Sequence, residues 1–249
     1  MTDLNTQFLD EVTSRLGRLA GTNKSIDDAV TVIADALDTG GVVQAFGTGH
    51  SEAFAMEIAG RAGGLIATNR LPLRTLVLRG KRDVSVLGGA DLERDPNVAE
   101  DLLSLFDLDP NDVFIIASNS GVNGSIVGVA LAAKARGHKV IAVTSIDHTN
   151  RVQPKHPSGK RLSEVADIVI DNLAPFGDST MTLEGGIGVG AVSSITAAFI
   201  AQRITIGVAE TMRQRGKKPP VYISANIPGG DAHNQALESL YGDRIRREA

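Results

Sequence analysis

The chain has 249 residues, a formal net charge of −4 and no cysteine. Hydrophobic residues make up 42% and charged residues 22%, a globular composition that excludes a disordered chain. The missing thiol excludes disulfides, zinc–thiolate sites and cysteine nucleophiles, and the net acidity argues against a sequence-independent grip on nucleic acid or an anionic membrane.

The start, MTDLNTQFLDE, is acidic rather than basic and then apolar, and no apolar run reaches the roughly 18 residues of a membrane span. The expectation is a cytoplasmic protein. Aromatic residues are only 4% and Trp is absent, so the core is aliphatic and rich in Ala and Gly.

Leu4, Phe8, Val12, Leu16 and Leu19 recur at helical spacing and predict a first helix that stops before Gly21. A second helix is predicted from Ile26 to Leu37, with Ser25 as its N-cap. GVVQAF at 41–46 reads as a buried strand that turns at Gly47, and 51–62 reads as a helix. LRTLVL at 73–78 is the next predicted strand, followed by a helix over 98–106 and a strand VFIIAS at 113–118. A helix from Asn123 to Arg136 stops at Gly137. KVIAVTS at 139–145 and ADIVID at 166–171 supply two more strands. Between them, 146–165 is polar, holds two prolines and is long for a connection, which marks it as a functional loop. A long helix over 182–213, an extended segment at 219–224 and a helix from His233 to Arg247 complete the chain.

Alternating apolar strands and helices predict an α/β fold with a doubly wound, parallel five-stranded sheet covered on both faces. The predicted organisation is a single domain over 1–249. It divides into an N-terminal helical arm (1–37), a core (38–213) and a C-terminal extension (214–249) that packs on the site.

Ligands of open parallel sheets sit beyond the carboxyl ends of the strands. Two strand ends here carry hydroxyl-rich glycine turns that lead into helices: Gly47-Thr48-Gly49-His50-Ser51 and Ser118-Asn119-Ser120-Gly121-Val122-Asn123. Free backbone N–H groups and hydroxyls at such turns suit an anion. Neither loop contains Lys or Arg, which fits a phosphate monoester held by neutral donors. A dinucleotide loop fails because Glu52 stands where its third glycine belongs. A P-loop fails because Gly159-Lys160 runs into Arg161. Simple N-capping remains an alternative for the second loop.

The six residues 118–123 resemble the S-x-S-G-x-T/N phosphate loop of the SIS (sugar isomerase) domain, and Gly47 to Ser51 is similar to that fold's first loop. The likeness runs from about 38 to 200. Segments 47–65, 156–162 and 225–234 resemble a phosphoheptose-isomerase-like branch of the family. The resemblance implies a three-layer αβα, flavodoxin-like fold and a sugar phosphate as ligand. It implies phosphate contacts from Ser118, Ser120 and Asn123, with Ser51 and either Ser145 or Thr144 alongside. It also implies a homodimer or homotetramer with shared sites. Zinc-binding phosphoheptose isomerases carry His and Glu four residues apart in the first-loop helix. Glu57 and Arg61 have that spacing here, so no metal and no cofactor is expected.

Moving a proton at C2 of an open-chain sugar needs a general base and a relay at oxygen. Relatives of this fold use a Glu from the first-loop helix, which makes Glu57 the first candidate; an exposed ion pair with Arg61 is its alternative role. Glu52 is the second candidate, or a first-turn acid favoured by the helix dipole. His50, inside the glycine loop, is expected to face the ligand. His233 follows Pro228-Gly229-Gly230-Asp231 and is a proton shuttle or a surface residue. Lys160 and Arg161 read as solvated loop charges and His138 as a surface residue.

The resulting expectation is an SIS enzyme that takes the C2 proton of a 6-phosphorylated sugar. β-Elimination from an N-acetylated amino sugar leads. Aldose–ketose isomerisation and a non-catalytic sensor are the alternatives. Ile187, Val189, Val192, Ile195, Phe199 and Ile206 offer either a dimer face or a buried core helix.

Overall fold

Four apolar strands and one short polar strand make a parallel sheet in the order β2-β1-β3-β4-β5. They are β1 (Val43–Gly47), β2 (Thr68–Arg70), β3 (Val113–Ala117), β4 (Lys139–Thr144) and β5 (Ile168–Asp171). The computed structural model describes residues 3–246. Among these residues no helix is long and apolar enough to cross a membrane.

Strand side chains alternate between two cores. Val43, Ala45, Ile115, Ile141 and Val143 face α2 (Lys24–Asp38), α3 (Glu52–Ile58) and α10 (Ser193–Gln214). Phe46, Phe114, Ile116, Val140 and Ala142 face the other way. That second face is covered by α4 (Thr75–Leu78), α5 (Asp91–Arg94), α6 (Val98–Leu103), α7 (Gly124–Ala135) and α9 (Leu162–Val165). Both faces are covered, so the strands read as continuous apolar runs rather than alternating ones. The layering is the predicted doubly wound α/β sandwich.

Several predicted elements move. Residues 73–78 form no strand; the chain pairs earlier, at β2, and Leu71 N–H makes the last bond to Ala45 O (2.9 Å). Pro72 has no N–H to continue the ladder, and Thr75 N–H bonds back to Pro72 O (2.9 Å), turning the chain into α4. The helix predicted to Ala62 ends at Ile58, because Ala59 is extended and bridges Leu65. The helix predicted from Thr182 starts only at Ser193. Before it, β6 (Ser179–Thr182) and β7 (Gly188–Ala191) form an antiparallel hairpin. Gly185 (φ 82°) and Gly186 (φ 80°) take the turn that a helix cannot make. Asn23, not Ser25, caps α2 through its side-chain oxygen.

The expected arm over 1–37 is two different things. α1 (Leu4–Ala20) rests on the rim and buries only Leu19. α2 is a core helix, burying Ile26, Ala29, Ile33, Ala34 and Leu37. His138 is buried rather than superficial: its Nδ1 lies 3.1 Å from Asp112 O and its ring meets Phe114. α8 (Ile146–Thr149) opens the long connection. Arg161 is a staple across that loop, bonding Thr149 O (3.0 Å) and Val152 O (2.9 Å). The last helix, α11 (Gly230–Glu238), is shorter than predicted, and Arg247 lies outside the described residues.

The C-terminal extension packs at the amino-terminal edge of the sheet rather than on the loops at its carboxyl edge. There Arg244 pairs with the wholly buried Asp112, which also accepts from Val42 N–H (2.8 Å), Gln44 Nε2 (2.9 Å) and Asp109 N–H (3.1 Å). Asn69 Nδ2 bonds Arg244 O (2.6 Å), and Arg246 N–H bonds Asn69 Oδ1 (2.8 Å). A buried carboxylate needs its partners, so Arg244→Met is expected to cost about 2–4 kcal/mol, read from urea unfolding. A loss below about 0.5 kcal/mol, the size of an exposed pair, would show that the pair is not a structural latch.

Candidate functional site

The strand order places β1 beside β3, in register from Val43 with Val113 to Gly47 with Ala117. α3 leaves β1 toward one core and α7 leaves β3 toward the other, as Phe54 and Ile126 show by their burial. This is the topological switch point, and it leaves a crevice above the strand ends. Both glycine loops singled out from the sequence flank it.

In the first loop, a Cβ on Gly47 would stand 2.4 Å from Ser51 O, so only glycine permits this tight entry into α3. His50 is exposed and Ser51 half-buried, and both line the crevice. In the second loop, Gly121 sits at φ 66°, and a Cβ there would press on Thr144 Oγ1 (3.0 Å) and Thr149 Oγ1 (3.1 Å). Its N–H donates to Ser118 Oγ (3.1 Å) and its carbonyl accepts from Leu162 N–H (2.8 Å). Asn119 accepts from Ser145 N–H (3.2 Å) through its carbonyl and from Asn172 Nδ2 (3.1 Å) through its side chain. The loop is thus a rigid turn tied to β4 and β5. Ser120 is half-buried with no hydrogen bond to a described residue, so its hydroxyl is available to a ligand.

A third wall escaped the sequence reading. Ser193, Ser194 and Ala197 at the start of α10 line the crevice with Asn172. Asp178, itself at φ 69°, orients that helix start by accepting from Ser193 N–H (2.8 Å), Val192 N–H (3.2 Å) and Ser193 Oγ (2.6 Å). No Lys or Arg is among the lining residues, and His50 is their one titratable group.

The carboxylates distribute unexpectedly. Asn123, assigned to phosphate by resemblance, gives its amide to Glu93 Oε1. Glu93 is fixed from below by Ser125 Oγ on its carbonyl (2.6 Å). Its other oxygen lies 3.3 Å from where a Cβ of Gly49 would be, so the carboxylate stands between the two loops. Glu52 is held beside the first loop by Arg74 at 2.5 Å. Glu57 turns away along the α3–α10 seam, ion-paired with Arg61 and accepting from Gln202 Nε2 (2.5 Å); neither it nor Glu93 is among the residues that line the crevice. The residue four after Glu57 is Arg61, which lies past the end of α3, and among the described residues no three His, Asp or Glu side chains cluster as a metal set would. The residues therefore do not fit the zinc site of the isomerases they resemble.

Two other predicted residues lie elsewhere. Ser145 is wholly buried; its hydroxyl donates to Ala174 O (2.6 Å) and accepts from His148 N–H (3.0 Å), so it caps α8 and has no free direction for a ligand. His233 Nε2 bonds Val221 O (3.0 Å). Val221 bridges Leu65 just before β2, which places His233 toward the amino-terminal edge of the sheet, away from the crevice. His156, on the loop that holds Val122 O through Lys155 N–H (3.2 Å), is pushed below the usual imidazole pKa by burial. Its Nδ1 accepts from Ser158 N–H at 3.1 Å, as a neutral ring does.

A model of the SIS domain matches residues 7–145, which include both loops. A UPF0309 protein of Listeria monocytogenes is 38% identical over 223 residues, covering 89% of this chain and 90% of its own. A phosphoheptose isomerase from Neisseria gonorrhoeae superposes with a TM-score of 0.54 at 17% identity, over 83% of this chain and 97% of that one. A second, from Francisella tularensis, gives 0.52 at 17% identity, over 84% and 100%. These two likenesses show the fold.

Glu93 keeps its place because α5 lies directly on the first turn of α7. A Cβ on Gly124 would meet Arg94 O at 2.1 Å. Gly124→Ala is therefore expected to lift α5 and lower stability by about 1–3 kcal/mol in urea unfolding. An unchanged midpoint would mean that this contact does not hold the segment.

Proposed function

The chain belongs to the SIS domain family, and on that premise we propose that it is a sugar-phosphate enzyme of the isomerase type. One observation carries the reading: a crevice at the switch point, walled by hydroxyls, amides and backbone N–H groups and free of Lys and Arg. Ser118, Ser120 and Ser51 receive the phosphate with the N–H groups that open α7. The sugar then extends from the second loop toward the first, past Glu93 and His50.

Glu93 takes the role the sequence reading gave to Glu57. Its carboxylate removes the C2 proton of the open-chain aldose, and the electron pair of that bond passes into an enediol. Return of the proton to C1 gives the ketose, with His50 moving a proton between O1 and O2. If C2 carries an acetamido group, the same carbanion instead expels the C3 substituent. Similarity in fold to phosphoheptose isomerases supports the first outcome.

The test is proton NMR of the full chain in deuterated water with hexose, heptose and N-acetylhexosamine phosphates. Deuterium at C2 with ketose formation is expected; an unsaturated sugar would replace isomerisation by elimination. Glu93→Gln should lose about 10²–10⁴-fold in kcat with binding retained. Exchange that survives in Glu93→Gln but vanishes in Glu57→Gln returns the base to Glu57. Ser118→Ala with Ser120→Ala should weaken binding by about 2–4 kcal/mol, since each bond to a charged group contributes roughly 1.5–3. Unchanged affinity in calorimetry would remove the phosphate assignment.

A second copy of the chain covers the outer face of α10 and α3. On these helices Ile206 is 66% exposed, Met56 52% and Ile195 37%; Ile187, 62% exposed, stands on the β6–β7 turn before α10, and Phe199 is half-buried against the core. Val192, also assigned to such a face, is instead buried. Large apolar side chains left this exposed suit a partner. Ile206→Glu is expected to convert a dimer or tetramer into a 26.1 kDa particle in light scattering. A wild-type chain already monomeric at micromolar concentration would sink this assignment.

A further inference from the structure

The face covered by α4 to α7 carries a second concavity that shares no lining residue with the crevice. One cleft of about 440 Å³ lies between the turn after α4 and the end of α6, with the half-buried Leu105 over the buried Leu76 as apolar lining and Arg79, Lys81 and Arg82 around it. A second, open cleft of about 500 Å³ meets it at Arg79 and is lined by Arg246, Ile245 and Asp243. These volumes fall in the range of small-ligand sites, roughly 300–1,000 Å³.

The charge of this trench runs against that of the chain. Arg79, Lys81, Arg82 and Arg246 face two carboxylates, Asp101 and Asp243, a surplus of +2 in a protein of net −4. Arg82 and Arg246 are held in place before any ligand arrives. Arg82 is paired with Asp101 at 2.7 Å. Arg246 donates to Leu105 O (2.8 Å) and lies 5.5 Å from the Phe106 ring centre. Lys81 is exposed and bonded to no described residue, so its charge is open to a ligand. Leu78, 69% exposed, stands beside the basic turn and extends the apolar surface there.

We propose that this trench is a second ligand site, for a phosphorylated small molecule with more than one negative charge and a flat apolar ring, the build of a nucleoside diphosphate. The cations meet the phosphates, and the ring covers Leu105. Rigid guanidinium forks suit phosphate oxygens, and a mobile ammonium completes the charge. A single phosphate would use one cleft and leave the apolar floor bare. This site does not depend on the reaction assigned to the crevice.

Calorimetry on the full chain with ADP, pyrophosphate and adenosine tests it. ADP is expected to bind with a Kd below about 1 mM. Pyrophosphate and adenosine should each bind more weakly, and the ADP affinity should fall as salt rises. Lys81→Glu, at an exposed and unbonded position, should fold normally by circular dichroism and raise the ADP Kd about tenfold. Arg79→Gln should act in the same direction. The Ser118→Ala/Ser120→Ala variant should keep the wild-type ADP Kd. No ADP binding at millimolar concentration overturns the proposal. So does ADP binding that is indifferent to Lys81→Glu, or that is lost in the double-serine variant, which would place ADP in the crevice.

Discussion

A doubly wound parallel sheet must reverse its direction of winding once, and the rest of this structure depends on where it does so. With the order 2-1-3-4-5, the reversal falls between β1 and β3. The helix after β1 then drops to one core and the helix after β3 to the other. The gap between them is left open, and there the Ser120 hydroxyl has no partner among the described residues. Had both helices gone to one face, their first turns would fill the space a ligand needs. The start of α10, reaching the same gap from the far side of β5, turns an open groove into a walled crevice.

The crevice binds charge with neutral groups, and that choice constrains its surroundings. A carboxylate near an anion site is costly unless it is hydrogen-bonded and directed away from the anion. Glu93 meets this condition because Asn123 holds its head and Ser125 holds its backbone. Glu52 meets it through Arg74, and Asp178 by engaging the N–H groups of α10. The same rule explains the far edge of the sheet, where Asp112 is tolerated in full burial by three N–H donors and one guanidinium.

Within the crevice, glycine does two different jobs. Gly121 supplies a backbone angle that lets the second loop fold over Thr144 and Thr149. Gly47 and Gly124 supply absence: each lacks the one atom that would collide with a backbone carbonyl. The second kind of glycine sets distances between elements, and through Gly124 it fixes which carboxylate reaches the loops.

The buried strands and both loops are legible in the sequence by itself. β1, β3, β4 and β5 are unbroken apolar runs, and only a sheet covered on both faces accepts such runs. The glycine–hydroxyl turns that follow β1 and β3 are local chemistry, readable without any partner. The resemblance to SIS loops rests on those same residues. β2 was not legible, because Thr68-Asn69-Arg70 is polar and its end is set by Pro72. The β6–β7 hairpin was hidden because 182–192 runs straight into the apolar α10, although its four glycines disfavour a helix. The roles of Glu57, Glu93, Ser145 and His233 were decided by tertiary structure. Spacing fixes the phase of a side chain around its own helix, and it gave Glu57 the right helix. It cannot say which neighbour that phase meets. α10 supplies Gln202 to Glu57, α8 engages the Ser145 hydroxyl, and the segment before α6, 30 residues from Asn123 along the chain, delivers Glu93 to the loops. Those meetings follow from how helices pack across a sheet, which no local window of sequence contains.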